Sequence, residues 1–154
     1  MHREELPEDV ASVAGRYETL LDQFSCFEKH LDSALQQLAA RYPRSFSKLN
    51  TGEPGVSMFR CINTFLRLTA EIGMEDGRVY AMFVFDSVRD FQRPGEDAVL
   101  IERIVVDADG NVLFPDSACN ITEPSAVRLI HAVLSRHIKT NFLKIGALKM
   151  DLAP

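Results

Sequence analysis

Arg78-Val79-Tyr80-Ala81-Met82-Phe83-Val84-Phe85-Asp86 decides the fold. Seven apolar residues run between two charges, too short for a helix that must bury its whole circumference. β-Branched and aromatic side chains dominate, so the run reads as a central strand covered on both faces. A strand of that kind needs neighbours, and the flanking sequence offers them.

Upstream, Gly73-Met74-Glu75-Asp76-Gly77 reads as a hairpin loop, and Leu66, Leu68, Ala70 and Ile72 alternate with Arg67, Thr69 and Glu71. That alternation makes the second half of 56–72 a strand. The first half stays open. As a helix it would align Arg60, Asn63, Thr64, Arg67 and Glu71 at helical spacing, with Gly73 as the cap after its end. Downstream, 87–97 is polar and loop-like, and Ala98–Val106 is the next strand. Asp107-Ala108-Asp109-Gly110-Asn111 then turns the chain into Val112–Phe114, since Asp-Gly before an apolar run is a hairpin signal. About four antiparallel strands result.

Helices flank the strands. Val10, Val13, Tyr17, Leu20, Leu21, Phe24, Phe27, Leu31, Leu35 and Leu38 recur every three or four residues, one stripe of a helix from Pro7 to Arg41. Pro7 and the acids around it suit the first turn, and Pro43 stops the helix. At 1.5 Å per residue it would be about 50 Å long. The stripe stays in phase, which favours one continuous helix. Ser25-Cys26-Phe27-Glu28 matches a capping box and offers a kink near Ser25 instead. Pro43 to Gly55 is turn-rich and reads as a connector. Thr122 and Pro124 suit the start of a C-terminal helix whose stripe is Ala126, Val127, Ile130, Val133, Leu134 and Ile138, and 142–150 is apolar enough to dock. The expected fold is a single α+β domain over 1–154. It has a long N-terminal helix, an antiparallel sheet and a C-terminal helix on one sheet face.

The chain has 154 residues and is 46% apolar, enough for one core without staples. Its net charge of −5 argues against nucleic acid as a partner, and no window resembles a membrane span. Cys26, Cys61 and Cys119 share no metal-binding or redox spacing and read as reduced thiols. Met1-His2-Arg3-Glu4-Glu5 leads into acidic helix rather than an apolar leader, so the expectation is a cytoplasmic protein.

The candidate sites are few. Arg60, Arg67, Arg89 and Arg93 could hold a carboxylate or phosphate, or simply pair with Glu71, Asp86, Asp90 and Asp97. A helix would place Arg60 and Arg67 on one face, and an unbulged strand on opposite faces. Asp107, Asp109 and Asn111 begin like a calcium loop. Val112 stands where that loop needs glycine, and Ala118 where it needs a bidentate carboxylate. Cys119, His131 and Asp116 could be drawn as a triad, but His131 lies about 13 Å along the helix from its start. The histidines His2, His30, His131 and His137 show no zinc spacing, so no metal and no cofactor is expected. Nucleotide, hydrolase and kinase motifs are absent, which leaves enzymatic activity undecided.

Two functional readings follow. The first is a non-catalytic homodimer binding a protein or small ligand, because a helix of about 50 Å overhangs a sheet about 20 Å wide and its stripe needs a partner. The second is a small enzyme or ligand carrier with an apolar pocket in a curved sheet, where Arg67 and Tyr80 are polar handles among 65–68 and 79–85. The order helix, strands, helix resembles the nuclear-transport-factor-2-like cone and type III secretion chaperones. That resemblance is of element order alone and carries no residues over.

Overall fold

The computed structural model describes residues 5–53, 55–90, 92–93, 98–115 and 119–152, without the side chains of 5–9 and 142–152. The order is α1 (Glu5–Arg41), β1 (Phe46–Leu49), β2 (Val56–Cys61), β3 (Thr64–Glu75), β4 (Arg78–Val88), β5 (Val99–Val106), β6 (Val112–Phe114), a 3₁₀ turn (Pro124–Ala126) and α2 (Val127–Leu152). The strands form one six-stranded antiparallel sheet in sequence order. The α+β class and the two terminal helices agree with the sequence. The strand count is six rather than four.

The two extra strands come from segments whose composition hides them. β1 lies inside the turn-rich connector and pairs its four residues with 58–61 of β2. β2 occupies the stretch left open between helix and strand, and it reverses into β3 at Ile62-Asn63. Ile62 holds a positive φ of 63° there, a conformation that a β-branched residue rarely adopts. β3 runs on to Glu75, through most of the expected loop. Only Asp76 and Gly77 make that turn, both at positive φ, as a tight two-residue hairpin with Asp-Gly requires.

Cross-strand register sorts the sheet into two faces. On one face lie Phe59, Leu66, Leu68, Val79, Ala81, Phe83, Phe85, Ile104 and Val106, all buried. Both helices pack here. Phe27 of α1 meets Phe83 edge-on at 5.4 Å and Phe85 at 6.2 Å, and Phe24 meets Phe83 at 5.3 Å. Such aromatic pairs add about 0.5–1.5 kcal/mol each beyond their buried area. Polar contacts fix the crossing of α1. Glu28 accepts from the Ser57 hydroxyl of β2, and Asp32 pairs with Lys48 of β1 at 2.9 Å. The Gln23 amide donates to the Ala108 carbonyl at 2.6 Å. Helix α2 crosses from Glu102 of β5, which Arg136 meets at 2.6 Å, to the β2–β3 hairpin.

From Val79 to Asp86, β4 is therefore fully buried on one face only, although Val88 at its end is buried on the opposite one. Tyr80, Met82, Val84 and Asp86 are half-buried on the other, where neither helix packs. This corrects the expectation of a strand covered on both sides. The apolar run reflects two different neighbourhoods, a packed core and an open sheet face.

α1 is one helix of 37 residues. Ser25 is exposed within it and Glu28 is engaged by Ser57, so the capping-box residues serve the sheet contact instead. The helix meets the end of the sheet at Arg16, whose guanidinium donates to the Gly77 carbonyl at 3.1 Å. Eleven helical residues precede Arg16, about 16 Å of helix. Thr122 does not cap α2. Its hydroxyl donates to Asn120 Oδ1 at 2.6 Å, and the helix is entered through the 3₁₀ turn. The docking expected of 142–150 concerns side chains outside the described residues.

Candidate functional site: the open sheet face

Register brings Arg60, Arg67 and Tyr80 to one face. Arg60 pairs with Phe65, Met58 with Arg67, Arg67 with Asp86, and Gly73 with Tyr80. Arg60 and Arg67 share the open face because a hairpin, and neither a helix nor a single strand, joins them. Tyr80 lies six residues along β4 from Asp86, so it is about 20 Å from Arg67.

Two shallow cavities lie on this face. One, of about 490 Å³, is lined by Glu71, Tyr80, Met82, Val105 and Leu113 among others. The second, of about 530 Å³, is lined by Val56, Met58, Arg67, Thr69, Val84 and Asp86 with neighbouring loop residues. Glu71 borders both. Arg60 lines neither cavity, and its Nε donates to the Ser47 hydroxyl at 3.2 Å.

Arg67 Nη2 donates to Asp86 Oδ2 at 3.0 Å, and the two side chains are 21% and 16% exposed. The pair sits directly opposite across β3 and β4, where opposite charges stabilise a sheet. Pairing with a neighbouring acid, one of the two readings of the arginines, therefore holds for Arg67. Its Nε–H is buried and has no acceptor among the described residues, an unmade bond that costs about 1–3 kcal/mol. Asp97 lies outside the described residues.

The Asp107 turn is a hairpin and not a cation loop. Asp107 Oδ1 accepts from the backbone amides of Asp109 and Asn111, at 2.9 and 3.0 Å. Gly110 holds φ +87°, and a Cβ there would stand 2.8 Å from Asn120 Oδ1. No cluster of three or more metal-ligating acids, cysteines and histidines occurs among the described residues.

The cysteines separate by environment. Burial pushes the Cys61 thiol up to about 12, so it stays protonated and inert. Cys119 Sγ lies near the Asn120 carbonyl and the Ser125 hydroxyl, at 3.7 and 3.9 Å. His131 is exposed on α2, and Asp116 lies outside the described residues. Sequence reasoning missed a contact between Cys26 and His30, four residues apart on α1. The Cys26 sulfur is 3.8 Å from His30 Nε2, and both reach the Thr122 carbonyl, at 3.6 and 3.3 Å. The cluster ties α1 to the segment before α2.

His137 is fully buried. Burial lowers its pKa to about 4, because the charged ring cannot be hydrated there. Nε2 lies 2.9 Å from the Thr64 hydroxyl, which also lies within bonding distance of the Cys61 carbonyl and the Asn141 amide. Nδ1 has no partner among the described residues.

A scan of known protein families finds no match, and searches of curated proteins and of solved structures find none either. No described helix is long and apolar enough to cross a membrane.

Proposed function

We propose that the chain is a non-catalytic homodimeric binding module. Two copies join through the overhanging part of α1, and the open sheet face takes a protein segment or small ligand. One observation carries the dimer reading. The apolar stripe of α1 continues bare beyond the sheet, with Val10 62%, Val13 39% and Tyr17 45% exposed. Covering these three side chains on two copies is worth roughly 5–8 kcal/mol. Association itself costs at least about 4 kcal/mol. The surplus is at most about 4 kcal/mol, so the dimer is weak and dissociates at about 1 mM or above. Three free thiols fit the cytoplasmic location that belongs to this reading.

The second reading, a ligand carrier or small enzyme, draws support from the two cavities on the open face. Their shallowness and the distance between Tyr80 and Arg67 favour an extended partner over one enclosed small molecule. The test of the main reading is the double variant Val13→Glu/Tyr17→Glu. Both positions are exposed, so its urea midpoint should stay within the effect of about 0.5 kcal/mol usual for surface changes. Sedimentation velocity should then show a monomer where the parent chain associates. Association of the variant equal to that of the parent would overturn the reading.

A further inference from the structure

Cys26 and His30 stand one turn apart on α1 and meet the Thr122 carbonyl, which the segment before α2 brings up from far along the chain. The trio stands apart from the surfaces of the binding reading and does not depend on it. Its separations are S···N 3.8 Å, S···O 3.6 Å and N···O 3.3 Å. The N···O distance exceeds the usual range of about 2.7–3.2 Å for an N–H donor to oxygen, and a thiol is a weak donor. As hydrogen bonds the three are poor.

As edges of one coordination shell they fit well. Zinc stands about 2.3 Å from a thiolate sulfur, about 2.0–2.1 Å from an imidazole nitrogen and about 2.0–2.2 Å from an oxygen. Tetrahedral angles then place sulfur about 3.6 Å from each of the other two donors, and nitrogen about 3.4 Å from oxygen. All three observed edges lie within about 0.2 Å of those figures.

The donors are otherwise unengaged. Cys26 and His30 make no other hydrogen bond among the described residues, and no described backbone amide donates to the Thr122 carbonyl. The backbone beneath them is fixed. Phe27 and Leu31 follow the two side chains in sequence and are fully buried, as is Ile121 just before Thr122. Asn120 Oδ1 accepts from the Thr122 amide and hydroxyl, at 2.9 and 2.6 Å, and so orients that residue. Cys26 and His30 are half-buried, which leaves an ion a path from solvent.

We propose that Cys26 Sγ, His30 Nε2 and the Thr122 carbonyl bind a zinc-class divalent cation, with water in the fourth position. Thiolate and imidazole suit a borderline-soft ion, whereas magnesium or calcium would find a single oxygen here. On binding, the Cys26 thiol releases its proton to solvent. Neutral His30 supplies the Nε2 lone pair and keeps its proton on Nδ1. The ion joins α1 to the entrance of α2. Two of its ligands are side chains and the third is backbone, so the site is consistent with the absence of a cluster of three ligating side chains among the described residues.

Cobalt is the probe, because it shares zinc's tetrahedral sites and absorbs visible light there. The full chain, reduced and stripped of metal by a chelator, is titrated with Co²⁺. The expected result is one Co²⁺ per chain, with the intense bands of a thiolate-bound tetrahedral ion, bleached by Zn²⁺. Cys26→Ala and His30→Ala should each weaken Co²⁺ binding by at least about tenfold, while Cys119→Ala leaves it unchanged. Circular dichroism checks the fold of each variant. Iodoacetamide mapping of the parent chain reads the same site without a substitution: saturating Zn²⁺ should slow alkylation of Cys26 and not of Cys119. A titration without those bands overturns the proposal, and so does a coloured complex that survives Cys26→Ala. Where a variant fails to fold, the mapping decides, and equal Cys26 alkylation with and without Zn²⁺ overturns the proposal.

Discussion

His137 should make the stability of this protein depend on pH between about 6.5 and 4. The folded ring titrates at about 4 and a free histidine at 6.5. Above 6.5 both states hold a neutral ring, and the full stability is present. Between 6.5 and 4 the unfolded chain takes up a proton that the folded chain refuses, so stability falls as pH falls. Each pKa unit is 1.36 kcal/mol, so the loss reaches about 2 kcal/mol at pH 5 and about 3 kcal/mol at its limit. Carboxylates also titrate near the lower end, so the comparison needs a reference chain. His137→Gln supplies one, because the glutamine amide can still donate to Thr64 and carries no titrating group. Urea unfolding of both proteins from pH 7.5 to 5 gives the assay. The gap between the two stability curves should close by about 2 kcal/mol over that interval. Curves that stay parallel would refute the claim that His137 is held neutral by burial.

Two further outcomes follow from the packing. Asp86→Ala should lower stability by about 1–3 kcal/mol, because it leaves the Arg67 guanidinium mostly buried without its carboxylate. Arg67→Met combined with Asp86→Leu should recover most of that loss, and equal urea midpoints for the single and double variants would contradict this. Gly110→Ala should cost at least about 1 kcal/mol in the same assay, because its φ of +87° disfavours a side chain and the new Cβ would meet Asn120; an unchanged midpoint would show that the turn gives way.

The helices and the middle of the sheet were legible in the sequence because their patterns are long. The α1 stripe repeats over many turns, and 66–72 alternates cleanly. What escaped reading was held by context. β1 has four residues, too few for periodicity, and exists through its register with β2. The Ile62-Asn63 turn lacks the glycine that marks the other hairpins, so tertiary pairing rather than local preference makes it. The open face of β4 was hidden because Met82 and Val84 look like core residues wherever they sit. The sequence offers Arg67 and Tyr80 as polar handles of one site, and register puts them on one face. Their separation along the strands could not be read before the hairpins were placed. The Cys26–His30 contact had a signal, a spacing of four on a helix, which a search limited to histidine pairs passes over.

The central claim is that the bare N-terminal stripe of α1 holds two copies together. Static light scattering tests it most directly, with the full chain at about 0.1 mM to about 3 mM, the range that association at about 1 mM requires. The account predicts that the mass rises with concentration from 17.3 kDa toward twice that value. A mass that stays at the monomer value across the whole range would contradict it.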